Sequence, residues 1–227
     1  MKKYKFPTLS SILKVKIGTK YVWEERVGHQ ATLVHWLEDA FDTKLNLQAF
    51  SFYPNRIYFG MPITSRPQYV KKTKPFWRKI AKVFEKNRWQ VYAAFRNVNP
   101  DLRVPQKFSS FEELNFDYVE LLLSELVLMD LNYPSHGVGQ EIGLSLFQPL
   151  IGFSKNPVSR MVKGRPGSLI LKYKTEEELL EMLITITKRK SYRAEPFYIR
   201  KCSAHSLRAV FKGKTCLNCL FKDKLHY

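Results

Sequence analysis

A glutamate beside a glycine-rich turn carries the clearest chemical signal in the sequence. Glu141 ends the segment Ser135-His-Gly-Val-Gly-Gln-Glu141, which follows an apolar run that stops at Asp130. Glycines leave N–H groups accessible at a helix N-terminus, where anions bind, and Ser135 adds a hydroxyl donor. A carboxylate in the first turn of that helix suits a reaction through an oxocarbenium-like sugar, as nucleophile or electrostatic stabiliser. The spacing taken alone favours a simpler role as a partner of the helix dipole.

The three cysteines form a second cluster with chemical potential. They follow the pattern Cys202-x2-His205-x10-Cys216-x2-Cys219, so a histidine completes two pairs of identical spacing. A two-residue gap lets both members of a pair reach one tetrahedral ion, and three cysteines with one histidine are a common structural zinc set. The alternative is three free thiols and an unrelated histidine. We expect a structural zinc ion here and no cofactor for catalysis.

Strand and helix signals alternate through the middle of the chain. Short apolar runs alternate with helically spaced segments, which predicts parallel strands joined by right-handed crossovers. The expected fold is α/β, a doubly wound five-stranded parallel sheet of the flavodoxin-like or Rossmann-like kind. Such sheets bind ligands beyond the carboxyl ends of their strands. The predicted strands are Arg56–Met61, Gln90–Phe95, Leu126–Asp130, Leu150–Phe153 and Ser168–Tyr173, and the helices Pro75–Arg88, Phe111–Ser124, Val138–Phe147 and one capped by Thr175.

Three segments are expected along the 227 residues: an N-terminal helical extension over 1–55, the α/β domain over 56–190, and a small basic zinc-binding tail over 191–227. The net charge is +18, and the tail alone carries 8 − 2 = +6. This excess favours polyanionic partners, either nucleic acid or phosphorylated substrates, although a solvated lysine-rich surface accounts for it equally well. Phe211, Phe221 and Tyr227 in the tail would suit base stacking. No apolar run is long enough for a membrane span and no signal peptide is visible, so we expect a cytoplasmic protein.

Four blocks in the middle of the chain, between about residues 56 and 187, resemble the nucleoside 2-deoxyribosyltransferase superfamily, and most of all its 2′-deoxynucleoside 5′-phosphate N-hydrolase branch. The blocks are Ile57-Tyr58-Phe59-Gly60, Asp117-Tyr-Val-Glu-Leu-Leu-Leu-Ser-Glu-Leu-Val-Leu-Met-Asp130, Ser135-x-Gly-Val-Gly-x-Glu141-x-Gly143 and Pro157-Val-Ser159-Arg-Met161-Val-Lys-Gly164. Their order and spacing together make chance similarity improbable.

The resemblance implies roles for individual residues. Glu141 would be the nucleophile that attacks the anomeric carbon. Asp117 would orient Glu141 or move a proton to the leaving base, and Tyr58 would pack against the sugar and donate a hydrogen bond to the Glu141 carboxylate. Against these roles, Asp117 also fits a helix cap and Tyr58 a core aromatic. The expected substrate and 5′-phosphate contacts are Ser135, Gly137, Gly139, Ser159, Met161 and Arg66.

Two departures from the family pattern bear on the substrate. The loop after the first strand is Met61-Pro-Ile-Thr-Ser-Arg66, without the glycines that this branch carries there. The third strand is preceded by Glu125 where the family usually has Asp, for which we expect little consequence. The serines favour a nucleoside 5′-monophosphate as substrate, and the altered loop weakens that preference.

The activity implied is hydrolysis or exchange of the N-glycosidic bond of a nucleoside or nucleotide. Two alternatives stay open. One is a non-catalytic nucleotide sensor tethered to nucleic acid by the tail, and the other is cleavage of the related bond in NAD. The resemblance also makes a homo-oligomer an expectation, because family members often complete their sites at subunit contacts.

Overall fold

A five-stranded parallel sheet organises the described part of the chain. The computed structural model describes residues 55–63, 67–96, 117–118, 120–121, 124–145, 148–188 and 197–225, and of residues 198, 201 and 205–208 only the backbone. The strands are β1 (Arg56–Gly60), β2 (Gln90–Ala93), β3 (Leu126–Asp130), β4 (Leu150–Ser154) and β5 (Ser168–Lys172). They lie in the order β2-β1-β3-β4-β5, and every neighbouring pair is parallel. The predicted doubly wound α/β class is confirmed, whereas the predicted N-terminal extension and Arg66 lie outside the described residues.

The helices that flank this sheet are α1 (Pro67–Lys86), α2 (His136–Leu144), α3 (Arg160–Gly164) and α4 (Glu176–Thr187). The central strand β3 is buried at all five positions, as its unbroken apolar run predicts. Of the predicted helix Phe111–Ser124, residues 117, 118, 120, 121 and 124 are described; the first four are helical, whereas Ser124 lies outside the helix. None of the described helices combines the length and apolar character that crossing a membrane requires.

The first helix begins two turns before its predicted start. The sequence placed that start at Pro75, because proline is favoured in the first turn and costs a backbone hydrogen bond further inside. The structure instead carries Pro75 inside α1, which begins at Pro67. Val70, in the added turns, is 1% exposed and packs in the same core cluster as Trp77 and Phe84. Burial of the added turns therefore offsets the bond that Pro75 cannot make.

The last helix of the parallel domain begins with the predicted capping box. The Thr175 hydroxyl accepts a hydrogen bond from the Glu178 amide at 3.2 Å. The Glu178 carboxylate accepts one from the amide of Lys174 at 2.6 Å. The amide of Glu178 in the first turn and that of Lys174 just before the N-cap thus find acceptors, and the predicted start of α4 is confirmed.

Residues 197–225 form a small antiparallel sheet, although this segment shows no clear periodicity in the sequence. Its strands are β6 (Phe197–Cys202), β7 (His205–Lys212) and β8 (Thr215–Cys216), followed by the short helix α5 (Leu217–Leu220). Gly213 has φ +56° in the turn between β7 and β8, in line with the tight turn that the sequence predicts there.

This small sheet shares its core with the parallel sheet. Phe197, Val210, Leu217 and Phe221 belong to one buried cluster with residues of β1, β3 and α1. Glu125, buried just before β3, accepts hydrogen bonds from the amide of Asn55 at 2.7 Å and from that of Phe197 at 2.9 Å. This glutamate thus links the start of β1 to the start of β6.

Candidate active site

A cluster of carboxyl and phenol groups lies where the strand order reverses. The chain passes from β1 outward to β2 and then returns to β3 on the other side, so β1 and β3 border the switch point. Tyr58 comes from β1, Tyr92 from β2, Asp117 and Tyr118 from the stretch whose residues 117, 118, 120 and 121 are helical, and Glu141 from α2. These groups lie close enough for the charges of Glu141 and Asp117 to raise the pKa values of Tyr58 and Tyr118.

Glu141 has a carboxyl oxygen sealed from solvent and left unpaired. Its Oε2 atom is buried and has no hydrogen-bond partner among the described residues. The same oxygen lies directly over the end of β1, where a side chain on Gly60 would overlap it. That side chain would also come within 2.5 Å of the Met129 sulfur. A side chain at position 60 would therefore displace the carboxyl group of Glu141 from this position.

The surroundings of Glu141 oppose its ionisation. Burial first, and then the negative charge of Asp117, raise the pKa of Glu141 to about 8. The Tyr58 hydroxyl acts in the opposite direction on that pKa, although the pair does not meet the geometry of a hydrogen bond. Burial and the two carboxyl groups raise the pKa of Tyr58 well above its ordinary value, so this phenol keeps its proton. A positive charge that develops beside such a carboxyl group would strongly stabilise its ionised form.

This raised pKa predicts an unusual dependence of stability on pH. Between pH 4.5 and about 8 the folded protein keeps a proton on Glu141 that the unfolded chain has released. The contribution of Glu141 to the free energy of unfolding therefore falls as pH rises through this range. Glu141→Gln removes this titration. As pH rises from 5 to 8, we expect the free energy of unfolding of the variant to increase by roughly 2–4 kcal/mol relative to that of the wild type. Urea unfolding at each pH measures this difference. The exposed Glu177→Gln on α4 is the control, and identical pH profiles for wild type and Glu141→Gln would contradict the burial of this carboxyl group.

Tyr92 belongs to the same cluster, although the sequence patterns did not identify it as a site residue. Its hydroxyl donates a 2.8 Å hydrogen bond to Oδ1 of Asp117, and its ring stacks on that of Tyr58 with centroids 5.5 Å apart. The two tyrosines face each other in register across β1 and β2. A signal was present, because each is the third residue of a predicted strand and neighbouring parallel strands place such residues side by side.

The glycine-rich segment differs in detail from its prediction. Its glycines lie inside α2, which begins at His136, so Glu141 is in the second turn of the helix and not the first. Ser135 is the N-cap, yet its hydroxyl makes no capping bond. The amide of Gly139 donates to the Ser135 carbonyl at 3.0 Å, so Gly139 has no free N–H for a phosphate. Gly137 lies in the first turn of α2, where backbone amides have no acceptor within the helix, so its N–H is placed to bind an anion.

The second predicted phosphate contact lies in the loop that follows β4. Ser159 caps α3, and its Oγ accepts from the amide of Met161 at 3.3 Å. Ser159 is exposed, and Met161 is 87% exposed, an unusual state for a large apolar side chain. Contact of either residue with a substrate stays a prediction.

Asp130, at the carboxyl end of β3, is a structural carboxylate. It is fully buried and accepts hydrogen bonds from the Tyr69 hydroxyl at 2.8 Å, the Trp77 indole at 2.7 Å and both nitrogens of Asn132. Burial raises the pKa of Asp130, whereas the four donors act to lower it. All its acceptor capacity serves the fold, which distinguishes it from the unpaired Glu141.

The three cysteines come together in the small sheet, as predicted. The sulfur atoms of Cys202, Cys216 and Cys219 lie within 4.8 Å of one another, and those of Cys202 and Cys219 are 3.5 Å apart. Sulfurs bound to one tetrahedral zinc ion are about 3.8 Å apart, so the cluster fits such an ion, and thiolates are ligands that zinc prefers. The side chain of His205 lies outside the described part, but its backbone pairs with that of Cys202 across the β6–β7 turn.

Fewer aromatic and basic side chains of the tail are available to contact a nucleic acid than its composition indicates. Phe211 and Phe221, expected to stack on bases, are buried, so that expectation is wrong for both. The Lys212 ammonium points inward and donates to the carbonyls of Ile186 and Lys188. Lys224 forms an ion pair with Glu178 at 2.5 Å. These apolar and basic side chains serve the packing of the tail on the parallel domain.

Comparison with known proteins gives similarities at low identity. No family model and no curated protein matches the chain. The chain is similar to the CMP N-glycosidase BcmB of Clostridium botulinum, with TM-score 0.44 and 16% identity over 56% of this chain and 97% of that one. It is also similar to a 2-deoxyribosyltransferase of Bacillus psychrosaccharolyticus, with TM-score 0.40 and 18% identity over 60% of this chain and 98% of that one. A 2-desoxiribosyltransferase of Leishmania mexicana gives TM-score 0.36 and 15% identity over 49% and 71% of the two chains.

Proposed function

We propose that this chain cleaves or exchanges the N-glycosidic bond of a nucleoside or a nucleoside 5′-monophosphate, with Glu141 as the nucleophile. One observation carries the proposal: the buried, unpaired carboxyl oxygen of Glu141, fitted over Gly60 and coupled to the second carboxyl group of Asp117. Such a group adds nothing to the stability of the fold, because a buried polar atom without a partner costs free energy. It does suit a reaction in which positive charge develops on a sugar.

The reaction would proceed in two steps. The Glu141 carboxylate attacks C1′ of the sugar, and the new C–O bond forms as the C1′–N bond breaks. The electron pair of the broken bond stays on the base nitrogen, which takes a proton from water, or from Asp117 when the proton held by the two carboxyl groups lies on Asp117 and not on Glu141. Water then attacks C1′ and gives its proton to the Asp117 carboxylate or to the solvent. The bond between C1′ and the Glu141 oxygen breaks, and the sugar and the Glu141 carboxylate are released. A second base in place of this water would give transfer instead of hydrolysis.

Substrate contacts follow from the elements around Glu141. Ser135, whose hydroxyl makes no capping bond, and the first amides of α2 are the groups that we assign to a 5′-phosphate, with Ser159 as a further contact. The phenol of Tyr58, which keeps its proton, would contact the sugar and the Glu141 carboxyl group. Asp117 lies in the same cluster and would exchange a proton with the base.

A panel assay tests this function directly. Purified protein is incubated with nucleosides, nucleoside 5′-monophosphates and NAD, and the released base is measured by chromatography. Because Glu141 must ionise to attack and its pKa is about 8, we expect kcat/KM to rise with pH up to about that value. Base release from nucleotides supports the proposal, and release from NAD alone would move it to the NAD-cleaving alternative. Binding of nucleotides without any release would favour the non-catalytic sensor.

We further propose that Cys202, Cys216 and Cys219 hold a structural zinc ion, with His205 as the predicted fourth ligand. The mutual distances of the three sulfurs support this, as does the choice of thiolates as donors. The ion would hold the turn between β6 and β7 to the start of α5, and it has no part in the glycosidic reaction.

A further inference from the structure

The contact between Tyr92 and Asp117 joins the sheet to the helical residues that bring the second carboxyl group to the site. The Tyr92 hydroxyl donates to Oδ1 of Asp117 at 2.8 Å across 25 residues of sequence. A tyrosine hydroxyl that donates to a carboxylate makes a stronger hydrogen bond than a neutral pair does. This bond therefore fixes where the charge of Asp117 lies relative to Glu141.

The ring of Tyr92 is itself held in place. It stacks on the fully buried ring of Tyr58 at 5.5 Å with an interplanar angle of 22°, and the two residues are paired in register on β1 and β2. The hydroxyl of Tyr92 is thus presented from a rigid part of the sheet. Asp117, by contrast, is only partly buried.

Like charges make such an anchor necessary. Asp117 and Glu141 repel each other when both are ionised, as the effect of Asp117 on the pKa of Glu141 shows. Loss of the hydrogen bond from Tyr92 would make it easier for the Asp117 carboxylate to turn toward solvent or to take up a proton. Either change weakens the negative charge beside Glu141.

We propose that Tyr92 is a positioning residue that holds Asp117 against Glu141, and thereby keeps the second carboxyl group in place for its part in the reaction. Nothing in this assignment requires Tyr92 to touch the substrate. Its consequence for catalysis rests on the function proposed above, whereas its consequence for Glu141 can be measured without any activity.

The first test follows the titration of Glu141 by ¹³C NMR of labelled glutamate carboxyl groups. Tyr92→Phe removes the hydroxyl and keeps the stacked ring. We expect the pKa of Glu141 to fall from about 8 by about one pH unit, because the charge of Asp117 is no longer held beside it. Among the described residues, the titratable groups that interact with Glu141 are Tyr58 from β1 and the neighbouring helical residues Asp117 and Tyr118, and all three stay unchanged in the variant.

Tyr69→Phe is the matched control, since it also removes a 2.8 Å hydrogen bond from a tyrosine to a carboxylate, that of Asp130. We expect this control to leave the pKa of Glu141 unchanged. A Glu141 pKa that is equal in the wild type and in Tyr92→Phe would overturn the assignment. So would an equal fall in Tyr69→Phe, because the effect would then be one of general destabilisation.

The second test is a double-mutant cycle on base release. In the wild-type background we expect Tyr92→Phe to lower kcat by about tenfold with little change in KM. In the Asp117→Ala background the same substitution should change kcat by less than about twofold, because Tyr92 acts only through Asp117. Equal losses in both backgrounds would show that Tyr92 acts independently of Asp117. If the wild type releases no base, the proposed function fails, and the NMR titration still decides the role of Tyr92.

Discussion

Glu141→Gln is expected to abolish base release while leaving a folded protein that still binds the substrate. Glutamine keeps the shape of the side chain, so it occupies the space over Gly60, but its amide cannot attack C1′. Loss of a nucleophile removes the covalent route altogether, and we expect kcat to fall by at least about a thousandfold. The measurement is base release by chromatography, with substrate affinity followed separately by calorimetry.

The matched control for this loss is Glu177→Gln, an exposed glutamate on α4 that should keep full activity. Glu141→Ala gives a sharper form of the same test, because it opens space beside the anomeric carbon. Added azide is expected to enter that space and to yield a glycosyl azide, a product that only a vacated nucleophile position explains. Base release within about tenfold of the wild type in Glu141→Gln would exclude Glu141 as the nucleophile.

Removal of the proposed zinc ion is expected to have the largest effect on stability. Purified protein should contain one zinc ion per chain by elemental analysis, and Cys219→Ser should lose it. Because binding to a closed structural site adds directly to the free energy of folding, we expect a loss of about 3–5 kcal/mol, seen as a drop of roughly 10 °C in the melting temperature. A strong chelator should reproduce that drop in the wild type and have no further effect on the variant.

Two further variants make the zinc test specific. Ser203→Ala, in the exposed turn between β6 and β7, changes a neighbouring residue that is not a ligand and should leave metal content and melting temperature unchanged. His205→Ala should weaken binding if this histidine is the fourth ligand. Metal-free protein with a melting temperature insensitive to chelators would contradict the site and leave three free thiols in its place.

The parts of the fold that local patterns dictate were predictable from the sequence. The apolar run of β3 requires burial on both faces, and Thr175 with Glu178 marks the start of α4 wherever that helix packs. The start of α1 was not predictable, because the turns before Pro75 are stabilised by Val70 in the core, and that contact exists only in the folded chain.

For the candidate site, the sequence identified the residue types but not their relations. Glu141 stood out by its glycine-rich surroundings, whereas the need for Gly60 arises from a close approach between β1 and α2 that no local pattern encodes. Tyr92 was missed for a similar reason, since its partner Asp117 lies 25 residues away. The burial of Phe211 and Phe221 contradicts the expectation that they stack on nucleic-acid bases. That expectation came from composition, which is the same whether the aromatic rings face solvent or the core.

The shared core of the two sheets has a consequence for how the molecule is divided. The antiparallel sheet contributes four side chains to the core cluster that also contains residues of β1, β3 and α1: Phe197, Val210, Leu217 and Phe221. Glu125 also links the two sheets, because it accepts hydrogen bonds from the backbone amides of Asn55 and Phe197. A truncation at residue 190, where the composition changes, would uncover apolar surface and leave a buried carboxylate short of a donor. The parallel and antiparallel sheets therefore share one core, and we expect opening of the cysteine cluster to lower the stability of both sheets together.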